Sequence, residues 1–257
     1  MRIVFLTIII FGYICNSSYA QGELGDNSSL YKSNESTFAG QLYTNGLGIC
    51  YQYGGWVDGY KKNLYNAGFR YIKHPKEIKM SLNGAFSNRF VYGKMYSPIG
   101  FSFGYGRQKE LFSKFYISGI SIKRYFLIGA IIEMLKPVYY DVFEGSIFPS
   151  NSVKLNQDNV DDYYNKIAGK SSFFKGFGEM KVIPGVYAKA AISFEYSPSK
   201  YQINAVDAGV CTEAFYKQLP IMATDENNWL FISFYVSLRY GKVFSPRLKN
   251  VDNKNIL

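Results

Sequence analysis

The sequence predicts an all-β chain, an eight-stranded antiparallel transmembrane up-and-down β-barrel. Three observations carry that expectation. Apolar and polar residues alternate with a period of two along most of the chain, as half-buried strands require. The polar face of the alternation is built from Gly and Ser with isolated charges, which suits the crowded interior of a narrow barrel; water-facing strands usually carry many Lys, Glu and Thr. The third observation is aromatic content: 24 Tyr, 21 Phe and 2 Trp stand against a single His in 257 residues. Many of these tyrosines fall near the ends of alternating runs, where a membrane barrel places its interfacial girdles. In a soluble barrel the apolar face would point inward instead.

The chain opens as an export signal. Met1-Arg2 supplies a positive start, Ile3 to Ile14 a short apolar core, and Ser18-Tyr19-Ala20 small residues at the two positions a signal peptidase reads. Residues 1–20 are therefore expected to be a cleaved signal peptide, 21–36 a flexible N-terminal segment, 37–244 the barrel and 245–257 a basic C-terminal tail. No later stretch reaches the ~18 consecutive apolar residues of a spanning helix. Cleavage removes only Arg2 from a net charge of +10 and leaves two cysteines, Cys50 and Cys211, too few for a disulfide scaffold.

The strands follow in order. In 43–53, Tyr43, Leu47, Ile49, Tyr51 and Tyr53 share one face, interrupted by Asn45, against Thr44, Gly46, Gly48, Cys50 and Gln52. In 64–71, Tyr65, Ala67, Phe69 and Tyr71 oppose Asn66, Gly68 and Arg70. In 99–106, Ile99, Phe101, Phe103 and Tyr105 oppose Gly100, Ser102, Gly104 and Gly106. Two less regular runs, 116–125 and 128–136, are expected as separate strands joined by a short turn at 126–127. The run 184–196 sets Val186, Ala188, Ala190, Ile192 and Phe194 against Lys189, Ser193 and Glu195. After a turn at 197–200, the run 201–216 sets Val206, Ala208 and Val210 against Asp207, Gly209, Cys211 and Glu213. The last, 228–240, sets Leu230, Ile232, Phe234, Val236 and Leu238 against Ser233, Tyr235, Ser237 and Arg239. Pro98, Pro137, Pro184, Pro198 and Pro220 fall at strand ends or turns, where a missing N–H is tolerated.

The inward face of these strands carries eight charges: Arg70, Lys123, Lys189 and Arg239 against Glu133, Glu195, Asp207 and Glu213. An eight-stranded barrel is just wide enough for side chains to fill, so the eight are expected to pair as a lumen network rather than line a pore. An unpaired ion there costs several kcal/mol in lost solvation. Cys50 and Cys211 also point inward, so a disulfide between them could form only across the lumen.

Connection lengths suggest the topology. Counting 43–53 as the first strand, with the N-terminus periplasmic, puts 54–63 and the long 141–182 segment outside and 72–95 on the periplasmic side. Asp158 is a candidate cap for a short helix over 159–168. Outer-membrane barrels pair short periplasmic turns with longer external loops, so a basic segment of over twenty residues on the short-turn side needs a cause. Lys73, His74, Pro75, Lys76, Glu77 and Lys79 are expected to dock another envelope protein there, with Pro75 holding itself and His74 extended. Outer-membrane lipid headgroups are the other expected partner of the basic rims. Nucleic acid is not expected, because the positive charge concentrates in those rims.

Within that segment, Lys73-His74-Pro75-Lys76-Glu77-Ile78 followed by Phe90-Val91-Tyr92-Gly93-Lys94 resembles small outer-membrane β-barrel proteins of the Bacteroidota. Gly46 and Gly48, and Leu135-Lys136-Pro137-Val138-Tyr139-Tyr140, are similar too, so the resemblance covers residues 38–140. It implies a barrel in a bacterial outer membrane and carries no activity with it. Bacterial barrels commonly end on an aromatic assembly signal; here Ser245–Leu257 follow Phe244, so such a signal would be internal.

The expected function is a structural or accessory subunit of an envelope assembly or secretion complex, without enzymatic activity, cofactor or metal. A barrel enzyme modifying outer-membrane lipid and a small-ligand-binding barrel are the alternatives. The single His74 lies beside Pro75 with no nucleophile implied nearby, which argues against Ser–His chemistry.

Overall fold

The computed structural model describes residues 34–58, 60–80, 89–114, 119–143, 151–163, 166–197, 201–224 and 227–244. The expected signal peptide and C-terminal tail lie outside these residues. Among the described residues there are thirteen strands: β1 (Asn34–Tyr43), β2 (Gly46–Asp58), β3 (Lys61–Ile72), β4 (Lys79–Met80), β5 (Phe90–Val91), β6 (Tyr96–Phe112), β7 (Ser121–Pro137), β8 (Tyr139–Val142), β9 (Asn151–Lys154), β10 (Ile167–Lys170), β11 (Lys181–Glu195), β12 (Gln202–Phe215) and β13 (Leu230–Phe244). Eight of them close an antiparallel up-and-down barrel in the order β1-β2-β3-β6-β7-β11-β12-β13, with β13 pairing back onto β1. Closure leaves the barrel without an edge, so every strand pairs on both sides.

The exposure pattern is that of a protein solvated by lipid. Phe38 is 68% exposed and Phe234 66%, and Ile49, Phe103, Ile128, Val186 and Ile232 are exposed with them. Charged Arg70, Lys123, Glu133, Lys189, Asp207, Glu213 and Arg239 are buried. On β7 the outer face reads Arg124, Phe126, Ile128, Ala130, Ile132, Met134, Lys136, an apolar run bounded by a cation at each end. Tyr51, Tyr65, Tyr105, Tyr196, Tyr216 and Tyr240 lie exposed on the outside as expected. Tyr43 does not: it is buried in the lumen, because it ends β1 and a two-residue turn at 44–45 separates it from β2.

The expected strand list needs two corrections. Residues 34–43, of which 34–36 were assigned to the flexible segment, form the first barrel strand β1. Residues 116–125 and 128–136 are not two strands: 121–137 is one, and its alternation runs unbroken through Phe126 (outward) and Leu127 (inward). One strand gained and one lost keep the total at eight but invert the parity between them, so 54–63 and 72–95 exchange ends while 141–182 and 197–200 stay where the sequence placed them. The termini end of the barrel therefore holds connections 59–60, 113–120 and 196–201. The opposite end holds 44–45, 73–95, 138–180 and 216–229. Segment 73–95 thus lies at the long-loop end, not at the short-turn end where the parity of the sequence had placed it.

The long connections fold into a platform. β8 pairs with β9 and β10 in a three-stranded sheet, and β4 pairs with β5. Phe90, Val138, Tyr140, Val142, Leu155 and Ile167 form its core. The Tyr140 hydroxyl donates to the Val91 and Lys94 carbonyls at 2.7 and 2.8 Å, joining 73–95 to 138–180; burial pushes this phenol above its ordinary range. The expected helix over 159–168 is absent: one 3-10 turn (Asp161–Tyr163) precedes β10, whose Ile167 and Ala168 are drawn into the platform core.

Candidate functional site

The lumen is filled in tiers. At the termini end, Glu35 of β1 pairs with Lys62 of β3. Lys123 of β7 reaches Glu195 of β11 at 2.5 Å and Glu35 at 3.6 Å, and Lys114 reaches Glu195 at 3.2 Å. The next tier pairs Arg239 with Asp207 at 3.0 Å across adjacent strands β13 and β12, and Arg239 also donates to Ser193 Oγ at 2.5 Å. Beside it the Tyr125 and Tyr235 hydroxyls meet at 2.9 Å. Lys189 has no carboxylate partner in this tier arrangement. Its ammonium donates to Tyr43 Oη at 2.7 Å and Gln41 Oε1 at 3.3 Å, and lies 5.4–5.7 Å from the ring centres of Tyr43, Tyr187 and Tyr235. Tyr43 meets this desolvated cation edge-on through its hydroxyl, and the Tyr187 and Tyr235 rings add quadrupole attraction.

Toward the long-loop end, Arg70 pairs with Glu213, donates to Asn45 Oδ1 at 2.6 Å and sits 4.0 Å from the centre of the Tyr43 ring. Glu133 is the exception among the eight charges. It is 0% exposed, and neither of its carboxyl oxygens has a hydrogen-bond partner. Gly100 stands opposite it on β6, and a Cβ there would come within 2.5 Å of Glu133 Oε2, so the glycine makes the room this carboxyl occupies. Above this tier the mouth is closed by an apolar plug of Ile72, Met95, Tyr96, Ile131, Leu135, Phe215, Leu219, Ile221, Met222 and Phe231. Leu219, Ile221 and Met222 come from connection 216–229, which is held by Asn227 bonding to the Met222 and Thr224 carbonyls and by backbone bonds to Met95 and Gly93.

All eight sequence-predicted lumen residues therefore point inward, six of them in the pairs Arg70–Glu213, Arg239–Asp207 and Lys123–Glu195. Lys189 and Glu133 stand outside ion pairs. The sequence reading missed Glu35, Lys62 and Lys114, which share the lowest tier with Lys123 and Glu195, because β1 was not recognised, β3 was begun too late and β6 was ended at 106. It also missed the inward tyrosines 43, 125 and 187, while Tyr235 lies on the inward face to which the alternation had assigned it. The signal for Glu35 was present: Glu35, Thr37, Ala39, Gln41 and Tyr43 alternate with Ser36, Phe38, Gly40 and Leu42. Cys50 and Cys211 are both buried and both free, so the cross-lumen disulfide is not formed.

The docking residues make a closed turn. His74 is buried, its Nδ1 accepting from the Lys76 N–H at 3.2 Å, while Glu77 Oε1 accepts from the His74 N–H at 3.1 Å and from Lys94 Nζ at 2.7 Å. Lys73, Lys76 and Lys79 are exposed around it, beside Ile78 at 71%. A second exposed feature is the ring cluster Phe173, Phe174 and Phe177, with centroids 5.6–6.3 Å apart. It covers the Lys136 ammonium at 4.7 and 5.2 Å. Gly176, at φ +91°, lets this turn lie against Pro137 and Tyr139, where a Cβ would come within 3.0 Å of both side chains. Nearby, the Tyr139 hydroxyl and then the Lys154 ammonium hold the Glu179 carboxyl below its ordinary range.

No protein-family model and no curated protein matches the chain. Among solved structures it is similar to Ail, the attachment invasion locus protein of Yersinia pestis (TM-score 0.39, 8% identity, covering 83% of this chain and 99% of that one). It is similar also to the N-terminal β-barrel domain of Pseudomonas aeruginosa OprF (0.37, 7%, 83% and 98%) and to Neisserial surface protein A (0.38, 8%, 83% and 96%). Likeness at these values carries no weight for function; the barrel and its filled lumen stand on the chain's own geometry.

Proposed function

We propose that the protein is a bacterial outer-membrane barrel that neither conducts nor catalyses, and that it serves as a structural or accessory subunit of an envelope complex through its platform. The observation that carries this reading is the contrast between the two parts. The lumen is occupied by ion pairs and closed by an apolar plug, whereas the platform has a core of its own and holds exposed groups in fixed positions. With short turns, the start of β1 and the end of β13 on one side, the usual rule places that side in the periplasm and the platform outside. His74 is engaged in its turn rather than offered to a substrate, which supports a non-enzymatic role. The docking surface expected around Lys73, Lys76 and Lys79 is retained, transferred to the outer side.

The test is a photo-crosslinking residue at Ile78 in cells that produce the protein natively. The expected result is one discrete protein adduct, lost when Lys73, Lys76 and Lys79 are replaced by Gln while His74, Pro75 and Glu77 keep the turn. Adducts formed only from positions on the termini end, with none from Ile78, would refute the reading.

A further inference from the structure

The outer wall of the barrel near the termini end carries a row of cations whose register is unfavourable by itself. Lys61 of β3 stands directly opposite Lys109 of β6, and Lys109 directly opposite Arg124 of β7. Arg107 lies one outward position further along β6. All four side chains are exposed, and none is within ion-pair distance of a described carboxylate. Glu110 alternates to the lumen side of β6, where it stands opposite Lys123 of β7. In the ladder Lys61 pairs with Asp58 of β2 on its other side.

Directly opposed residues in an antiparallel pair have Cβ atoms about 4.5–5.5 Å apart, and like charges there are destabilising. Two such pairs in succession on three neighbouring strands lower stability unless an anion lies among them. The wall beside the row says what kind of anion. Toward the barrel's middle, the same three strands present Tyr65 and Tyr105, with rings 5.4 Å apart, and then Phe126, Phe103 and Ile128, all exposed. A ligand that fits both parts is anionic at one end and apolar at the other. The row is also local. Arg124 is followed on β11 by Ile192, and among the described residues the other outward cation at this end, Lys242 of β13, is flanked by Ser36 and Gln202.

We propose that Lys61, Arg107, Lys109 and Arg124 form a binding site for the phosphate headgroup of an anionic phospholipid, whose acyl chains lie along the Tyr65–Tyr105–Phe126 shelf. The lipid belongs to the leaflet that meets the termini end. The site converts a repulsive row into a contact that fixes the barrel's depth and orientation in that leaflet.

The test uses the folded full-length barrel in dodecyl maltoside micelles, titrated with dioleoylphosphatidylglycerol or dioleoylphosphatidylcholine and read by native mass spectrometry. The parent should bind phosphatidylglycerol more tightly than phosphatidylcholine. Lys109→Gln/Arg124→Gln should weaken phosphatidylglycerol binding roughly thirtyfold, about fivefold per cation, while leaving phosphatidylcholine unchanged. Lys170→Gln/Lys175→Gln, with the same net charge but altered at the far end, should retain the parent's preference, and so should the charge-keeping Lys109→Arg. In lipid-free micelles Lys109→Gln should resist urea at least as well as the parent, because repulsion is relieved; this readout also reports on its folding. Undiminished preference in the double variant, equal loss in the far-end control, a less stable Lys109→Gln, or displacement of the lipid by excess inorganic phosphate would each overturn the proposal.

Discussion

Replacing Arg70 by Met tests the lumen network where it is most dependent on one residue. The guanidinium is the partner of Glu213, a donor to Asn45, and a cation whose field reaches the unpartnered Glu133. Both members of the Arg70–Glu213 pair are almost wholly buried, at 5% and 2% side-chain exposure. Removing one partner of a buried pair costs about 3–5 kcal/mol, because the other is left without compensation. Here two carboxyls, Glu213 and Glu133, are left together. With a urea dependence of ~2 kcal/mol per molar, the unfolding midpoint should fall by roughly 2 M. The converse change, Glu213→Gln, should cost less, since the amide keeps an acceptor for the guanidinium, which also retains Asn45 Oδ1 at 2.6 Å. The double replacement Arg70→Met/Glu213→Met should recover most of the loss, as apolar substitutes for whole buried pairs commonly do. The assay is urea unfolding of the detergent-folded barrel, followed by the shift in electrophoretic mobility between unboiled and boiled samples. An Arg70→Met midpoint within about 0.5 M of the parent, or a double variant weaker than the single, would refute the reasoning.

Other outcomes follow from the same geometry. Glu195→Ala should cost about 1–3 kcal/mol, because Lys123 keeps Glu35 at 3.6 Å, whereas Glu35→Ala strips both Lys62 and Lys123 of a carboxylate and should cost more, as read by the same urea assay. Cys50 and Cys211 are free and buried, so maleimide should label neither thiol in the unboiled barrel and both after boiling. The lowered Glu179 carboxyl stabilises its turn at neutral pH and above its unfolded value, and the contribution is lost as pH falls through the lowered folded value. Amide exchange in 172–180, corrected for intrinsic rates, should therefore rise on acidification while that of β11 and β12 stays constant.

Much of the barrel was legible because a strand's period is two and lipid inverts which face is apolar. Phe101, Phe103 and Tyr105 against Gly100, Ser102 and Gly104 can be read directly, and so can the inward direction of all eight lumen charges. The reading failed where that contrast fades. On β1 the outward face alternates Ser36 and Gly40 with Phe38 and Leu42, too weak a contrast to stand out. On β7 the inward face carries Tyr125, Leu127 and Ile131, so both faces look apolar and one strand reads as two. Those two errors cancel in the strand count but not in parity, and parity alone decides at which end 73–95 emerges. The tier contacts were beyond reach for a different reason. Which carboxylate meets Lys123 depends on barrel shear, which brings Glu35 and Glu195 to one level from strands 160 residues apart in sequence. The platform core and the plug from 216–229 arise from tertiary packing of irregular segments, which leaves no periodic trace.

The claim on which the account depends most is that the lumen is filled and shut. Purified barrel reconstituted into a planar bilayer at neutral pH tests it directly. The ion pairs Arg70–Glu213, Arg239–Asp207 and Lys123–Glu195, under the plug of Leu219, Ile221 and Met222, predict an insertion that leaves the bilayer's resistance unchanged and shows no steady current steps. Stable, reproducible open-channel steps from the folded protein would contradict it.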